Sequence, residues 1–171
     1  MVILITGASH TGKTLLAQKL LEKYNYPYLS IDHLKMGLIR SGYTDLTPLD
    51  DDLLTDYLWN IVKEIVKTAI ENGQNLIIEG CYIPPKWQKD FSDSYLSSIK
   101  FICLAMTDEY IEKHFDEIIS YESEIENRKY SSDIKIESLK KDNAKYISQF
   151  KDSSVVLLDS NFDLSKIINT I

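Results

Sequence analysis

The residues that point most directly to chemistry lie near the N-terminus, between Gly7 and Thr14. They follow the order glycine, four intervening residues, glycine, lysine and threonine. Glycines in this pattern let successive backbone N–H groups turn inward around nucleotide phosphates. Lys13 is then placed to reach the β- and γ-phosphates, and the Thr14 hydroxyl can ligate Mg²⁺. The pattern predicts an ATP site with contacts from Gly7, Ala8, Ser9, His10, Thr11, Gly12, Lys13, Thr14 and Leu15.

The segments on either side of this loop are the elements that it requires. An apolar run, Val2 to Thr6, precedes it, and the segment from Leu15 to Leu21 carries the apolar stripe of an amphipathic helix. A helix that begins near Lys13 adds its dipole to the anion site. Within the loop, His10 either donates to a phosphate or fills a variable position.

Two carboxylates follow other apolar runs. Glu79 comes after Leu76 to Ile78 and could position Mg²⁺ or a water bound to it, or it could be a surface carboxylate at a strand end. Asp32 comes after Tyr28 to Ile31 and could accept the proton of an attacking hydroxyl. Asp32 could equally cap a short helix over residues 32–40, so both roles stay open.

Arginine is scarce, since only Arg40 and Arg128 occur among the 19 lysine and arginine residues. Arginine is the preferred bidentate clamp for phosphate, which makes both residues candidates. We expect Lys35 and Arg40 to supply positive charge to an acceptor that bears phosphate or carboxylate, although Arg40 could lie on a solvated face. Arg128 could close onto the transferring phosphoryl group from a lid, or belong to an ordinary charged turn. Tyr82 begins an aromatic and proline-rich segment that either walls the acceptor pocket or packs on the core.

Apolar runs and helical patterns alternate along the chain. Five runs without polar alternation predict parallel strands covered on both faces: 2–6, 27–31, 75–78, 99–105 and 154–158. A stripe from Leu53 to Ile70 predicts a long helix that ends at Asn72-Gly73. Thr107 is expected to cap another helix. A returning helix is predicted from the apolar positions Ile136, Leu139, Ala144, Ile147 and Phe150.

These elements predict an α/β three-layer sandwich in one domain, residues 1–171, with a lid excursion over about 107–150. The carboxyl ends of parallel strands share one edge of the sheet, where ligands bind. That edge would gather Gly7 to Thr14, Asp32, Glu79 and the start of the excursion into one crevice.

The amino-acid composition limits the kinds of partner that the protein is expected to bind. The formal net charge of −7 and the lack of a basic run disfavour nucleic acid. The N-terminal apolar run is too short for a signal sequence or a membrane span, so a cytoplasmic protein without membrane association is expected. The two cysteines, Cys81 and Cys103, lie in or beside strand-like runs and are expected to be buried thiols, neither a disulfide nor a zinc site. Nothing in the sequence indicates an oligomeric state.

The sequence resembles the adenylate kinase-like group of P-loop kinases, which includes nucleoside monophosphate, shikimate and gluconate kinases. The likeness is strongest over Gly7 to Thr14 and extends to the layout of strands and lid. It implies a five-stranded parallel sheet in the order 2-3-1-4-5 and phosphoryl transfer from Mg-ATP. It further implies that Glu79-Gly80 matches an Asp-Gly pair, that Arg128 is a lid arginine, and that Asp159 to Phe162 contact adenine.

Two departures separate this chain from an adenylate kinase. The segment after Gly80 lacks the arginine of that family, and the lid is short and nearly without arginine. A small hydroxyl-bearing metabolite is therefore a better acceptor than AMP, with Asp32 resembling the acceptor-side carboxylate of shikimate-like members.

Together these features predict an ATP-dependent phosphotransferase that moves the γ-phosphoryl of Mg-ATP to a hydroxyl or phosphate of a small metabolite. Lys13, Asp32 and Arg128 are the predicted catalytic residues, and Thr14 and Glu79 are predicted to hold or position Mg²⁺. The residues predicted to face the acceptor are Asp32, Lys35, Arg40, Glu79 and Tyr82. The alternative is a P-loop ATPase that acts as a nucleotide-dependent switch or sensor, and a third reading is a binding module that has lost catalysis. No Asn-Lys-x-Asp motif is present, which disfavours GTP.

Overall fold

A five-stranded sheet, all parallel, organises the chain in the order β2-β3-β1-β4-β5. The computed structural model describes residues 1–120, 134–159 and 162–170. The strands are β1 (Val2–Gly7), β2 (Tyr28–Ser30), β3 (Leu76–Glu79), β4 (Ile99–Met106) and β5 (Val155–Leu158). All five predicted strands, the three-layer architecture and the strand order are therefore confirmed.

Helices cover both faces of the sheet, as parallel strands joined by crossovers require. In the described part they are α1 (Lys13–Tyr24), α2 (Ile31–Arg40), α3 (Asp51–Glu71), α4 (Asp93–Leu96), α5 (Asp108–Ser120), α6 (Ile136–Gln149) and α7 (Leu164–Thr170), with a 3₁₀ turn at Trp87–Asp90. The long helix α3 ends as predicted, because Asn72 caps it and Gly73 takes a left-handed backbone with φ 64°. Thr107 caps α5, since its hydroxyl accepts from the Tyr110 N–H at 3.2 Å.

The core has two halves, one on each face of the sheet. Alternate side chains of β1 point to opposite faces, with Val2 and Leu4 on one and Ile3 and Ile5 on the other, and all four are fully buried. The first face packs against α3 and the segment that contains Trp87, and the second against α1 and α5. Because both faces are covered, β1 lies at the centre of the molecule and the loop that follows it is firmly anchored.

Helix α6 brings a polar residue into this core. Asn143 is fully buried, its side-chain oxygen accepts from the Met106 N–H at 2.6 Å, and its amide donates to the Leu139 carbonyl at 2.8 Å. The buried face runs through Leu139, Asn143 and Phe150, whereas Ala144 is exposed. The prediction that Ala144 belongs to the apolar face is therefore wrong, because the helix is rotated to satisfy the end of β4 with Asn143.

No helix among the described residues is both long and apolar enough to cross a membrane. The two cysteines are free. Cys103 is buried in β4, as expected, whereas Cys81 is only half-buried beside β3.

Candidate active site

The shape of the loop between β1 and α1 depends on a glycine at each end. It starts at Gly7, with φ 145°, where a Cβ would lie 2.1 Å from the Leu104 carbonyl oxygen of the neighbouring strand. Only glycine lets β1 and β4 approach this closely at the mouth of the loop. The loop ends at Gly12, with φ 77°, and His10 between them also has a left-handed backbone, φ 63°.

Helix α1 starts directly from this loop. Its first intrahelical hydrogen bond runs from the Leu16 N–H to the Gly12 carbonyl at 2.9 Å. The N–H groups of Lys13, Thr14 and Leu15 precede that bond and have no intrahelical acceptor. They lie at the positive end of the helix dipole, which is the arrangement that binds phosphate.

Lys13 is folded back on the loop. Its ammonium donates to the Ala8 carbonyl at 2.7 Å, and the Thr11 hydroxyl donates to the same carbonyl at 2.8 Å. Lys13 is only 8% exposed, so this cation is already largely desolvated at the centre of the loop. The loop that the sequence predicts to bind phosphate thus carries a buried cation.

Glu79 lies close enough to Lys13 for the charge of that lysine to act on it. It ends β3 and pairs in register with Ile5 of β1, which confirms that the third strand neighbours the first. The Tyr28 hydroxyl donates to its carboxylate at 3.0 Å. Glu79 is 2% exposed, and this burial raises the pKa of its carboxyl, while the Ser30 hydroxyl and the Lys13 ammonium act in the opposite direction. The reading of Glu79 as a surface carboxylate is therefore wrong.

Asp32 lies in the first turn of α2 and does not cap it. The helix begins at Ile31 with Ser30 in the capping position, so the predicted capping role of Asp32 is wrong. Its carboxylate instead accepts from the Lys35 ammonium at 2.6 Å, and its side chain is 39% exposed. Asp32 is thus held at the carboxyl edge of the sheet with part of the carboxylate open.

Lys35 and Tyr82 extend this contact. The Lys35 ammonium also donates to the Tyr82 hydroxyl at 2.8 Å and lies 4.8 Å from the centre of that ring. The Tyr82 hydroxyl in turn donates to Asp51 at the start of α3, at 3.0 Å. We call these four residues, Asp32, Lys35, Tyr82 and Asp51, the acceptor-side network.

The remaining predicted residues are less closely placed. Arg40 is exposed in the last turn of α2, so the solvated alternative describes its position. Tyr82 joins the acceptor-side network, but Trp87 in the same segment is buried and stacks on Phe101 with ring centres 5.0 Å apart. Arg128 lies outside the described residues.

One residue was missed by the sequence analysis. Asp142 of α6 accepts a hydrogen bond from the Ser9 N–H of the phosphate loop at 2.9 Å. The two residues are far apart in sequence, and no sequence motif predicts the contact. The only available signal is that Asp142 adjoins Asn143, which is a polar residue on the stripe that the helix buries.

The adenine contacts implied for Asp159 to Phe162 are only partly visible, because residues 160 and 161 are not described. Asp159 is exposed, and Phe162 packs against the α1 side of the core.

The candidate Mg²⁺ ligands suit an ion that keeps most of its water better than one held entirely by protein side chains. Among the described residues no group of three or more histidine, cysteine, aspartate and glutamate side chains could hold a metal ion. Mg²⁺ in phosphoryl-transfer sites keeps several waters and takes one or two protein oxygens with the substrate phosphates. The half-buried Thr14 hydroxyl and the Glu79 carboxylate supply oxygens of that kind.

Comparison with known proteins gives a clear answer for the fold. No family model matches the chain, and no curated protein matches it in sequence. Among solved structures, a shikimate kinase from Bacteroides thetaiotaomicron aligns with a TM-score of 0.61 at 13% identity over 99% of this chain and 95% of that one. A sugar kinase from Janibacter sp. HTCC2649 aligns with a TM-score of 0.59 at 16% identity, covering 99% and 90%.

A gluconokinase from Sinorhizobium meliloti 1021 gives a TM-score of 0.53 at 12% identity, covering 98% and 87%. All three are similar along nearly the whole chain, although their identity is low. The chain therefore has the fold of the P-loop small-molecule kinases.

Proposed function

We propose that this protein is a kinase that transfers the γ-phosphoryl group of Mg-ATP to a hydroxyl group of a small metabolite. The observation that carries the proposal is that Lys13, Glu79 and Asp32 lie at or just after the carboxyl ends of three neighbouring parallel strands, β1, β3 and β2. The kinase fold supports it independently. We further propose that residues 1–171 act as a single kinase-like domain.

Each residue has a part that follows from its position. Loop N–H groups and Lys13 hold the phosphates and stabilise the charge on the transferring group. Asp32 accepts the proton as the acceptor oxygen forms its bond to phosphorus and the bond to the leaving phosphate breaks. Thr14 and Glu79 would hold or position Mg²⁺, which neutralises negative charge between the phosphates when bound. We retain Arg128 as a lid residue that closes on the phosphates, and Tyr82 as a wall of the acceptor pocket.

The test is ATP turnover in the presence of hydroxyl-bearing metabolites, with ADP release and the mass of the phosphorylated product both measured. An acceptor that raises ADP release many-fold and gains one phosphoryl group supports the kinase. Slow hydrolysis that no metabolite changes would favour the nucleotide-dependent switch instead. The Lys13→Met variant is the negative control, because it removes the loop cation.

A further inference from the structure

Within the acceptor-side network, the only cation, Lys35, is already bonded to two of the other members. The Lys35 ammonium donates to both Asp32 and Tyr82, and only 12% of its side chain is exposed. Burial by itself would lower the pKa of Lys35, but the hydrogen bonds to Asp32 and Tyr82 raise it above its ordinary value. The ammonium is therefore stably charged and neutralised by a carboxylate, so it is poorly placed to bind a second anion.

The carboxylates of the network, by contrast, retain open oxygens. Asp51 is an exposed residue, and the Tyr82 hydroxyl bonds to only one of its carboxylate oxygens, Oδ1. Lys35 likewise bonds to Oδ1 of Asp32. Burial raises the pKa of Tyr82 to about 12, so its hydroxyl remains a neutral donor to Asp51. Two carboxylates thus share one ammonium, and the network is negative as a whole.

The neighbouring residues do not neutralise the negative charge of the acceptor-side network. Three more acidic residues, Asp45, Asp50 and Asp52, lie in the connection to α3 and at the start of that helix. The positive end of the α3 dipole offsets part of this charge. Arg40 is eight residues beyond Asp32 along α2, about 12 Å away at the helical rise, and is exposed. Its charge is therefore screened from the network.

Building on the kinase function proposed above, we propose that the acceptor is a hydroxyl-bearing amine, whose ammonium group pairs with Asp51 while Asp32 accepts the hydroxyl proton. This revises the expectation that Lys35 and Arg40 face an anionic acceptor. It also sets the chain apart from its structural neighbours named for shikimate and gluconate, which are carboxylates. A cationic acceptor gains from the excess of carboxylate, whereas a carboxylate acceptor is repelled by it.

The experiment compares an amine, an uncharged compound and a carboxylate within each of three sets of related polyols. One set is D-glucosamine, D-glucose and D-gluconate, a second is serinol, glycerol and glycerate, and a third is an aminocyclitol, myo-inositol and quinate. ADP release with Mg-ATP gives kcat/KM for each. We expect the amine of at least one set to exceed its uncharged partner by about tenfold and its carboxylate partner by more.

Asp51→Asn and Asp52→Asn form the matched pair of variants. Both residues lie in the first turn of α3 and are exposed, but only Asp51 bonds to Tyr82. The asparagine at position 51 can still accept from the Tyr82 hydroxyl. We expect Asp51→Asn to lower kcat/KM for the amine about tenfold more than for the uncharged compound, so that the preference is lost, and Asp52→Asn to retain the preference.

The outcomes separate this inference from the proposed function. A preference for the carboxylate member, or equal rates within each set, would overturn the inference and leave the kinase standing. An equal loss in both variants would overturn the assignment to Asp51. No stimulation by any compound would reject the kinase function and this inference with it.

Discussion

The carboxylate of Asp142 accepts a hydrogen bond from the Ser9 N–H at 2.9 Å, so a negative group from α6 lies on the phosphate loop. Ser9 belongs to the loop that the sequence predicts as an anion site, and Asp142 to α6, which lies within the predicted lid excursion. Asn143, the next residue, is anchored to Met106 at the end of β4. The position of Asp142 is therefore fixed by the core and is not a chance surface contact.

Asp142→Asn should tighten nucleotide binding by roughly threefold to tenfold, because it removes a charge that repels the phosphates. The asparagine oxygen can still accept from Ser9, so the loop should keep its shape. Isothermal titration with ADP and ATP measures the change. Asp116→Asn, an exposed change on α5, is the control. Weaker binding in Asp142→Asn would mean that the carboxylate supports the loop and does not compete with phosphate.

Lys13→Met should weaken ATP binding by about tenfold to a hundredfold, since charge-assisted hydrogen bonds to phosphate are lost. The matched control is Lys19→Met on the same helix, where the lysine is exposed and pairs with Glu22 at 3.0 Å. Circular dichroism should show both variants folded. Equal affinities in the two variants would contradict the role of the loop.

Asp32→Asn should lower kcat by about 10²-fold and leave the KM for ATP unchanged, because the variant cannot accept the hydroxyl proton. Since Ser30 occupies the capping position and the pair with Lys35 is partly exposed, the free energy of unfolding should change by less than about 1 kcal/mol. Steady-state kinetics and urea unfolding together make the test. A large loss of stability with a matching loss of activity would show a structural residue.

Much of this architecture could be predicted because the strongest signals are local. The phosphate loop is a contiguous motif, and the strands are short apolar runs whose covered faces follow from their lack of alternation. The strand order came from the resemblance and not from periodicity. Side-chain partners that are distant in sequence could not be predicted, as Asp142 with Ser9 and Tyr82 with Asp51 show.

The wrong expectations have a common physical origin. Asp32 has the residue type of a cap, but the helix begins one residue earlier, and such boundaries depend on tertiary packing. Ala144 has an apolar side chain, but the buried position goes to Asn143 because the end of β4 needs an acceptor. In both cases a tertiary contact decides which residue caps the helix or is buried, and the residue types alone do not show this.

Gly7→Ala should destabilise the protein by more than about 2 kcal/mol, because a Cβ would lie 2.1 Å from the backbone oxygen of Leu104 at a positive φ. Gly37→Ala is the matched control, since no atom lies within 4 Å of its Cβ position within α2. That substitution should stabilise the helix by up to about 1 kcal/mol. Urea unfolding measures both, and wild-type stability in Gly7→Ala would refute the close approach of β1 and β4.

Glu79→Gln should raise stability at neutral pH by about 1 kcal/mol. Burial raises the pKa of Glu79 in the folded protein, so the folded state holds the proton more tightly than the unfolded state. The contribution of Glu79 to stability is therefore complete below its ordinary pKa, near 4.5, and is lost as the pH rises through the raised value. Glutamine stays neutral and can still accept a hydrogen bond from the Tyr28 hydroxyl, so the variant does not lose this stability as the pH rises.

The advantage of Glu79→Gln should consequently shrink as the pH falls toward 4.5, which urea unfolding at several pH values would measure. Glu71→Gln is the matched control, because Glu71 also accepts from a tyrosine hydroxyl, that of Tyr95, but is exposed. Its stability should follow the wild type at every pH. If Glu79→Gln also followed the wild type at every pH, burial would not raise the pKa of Glu79 in the folded protein.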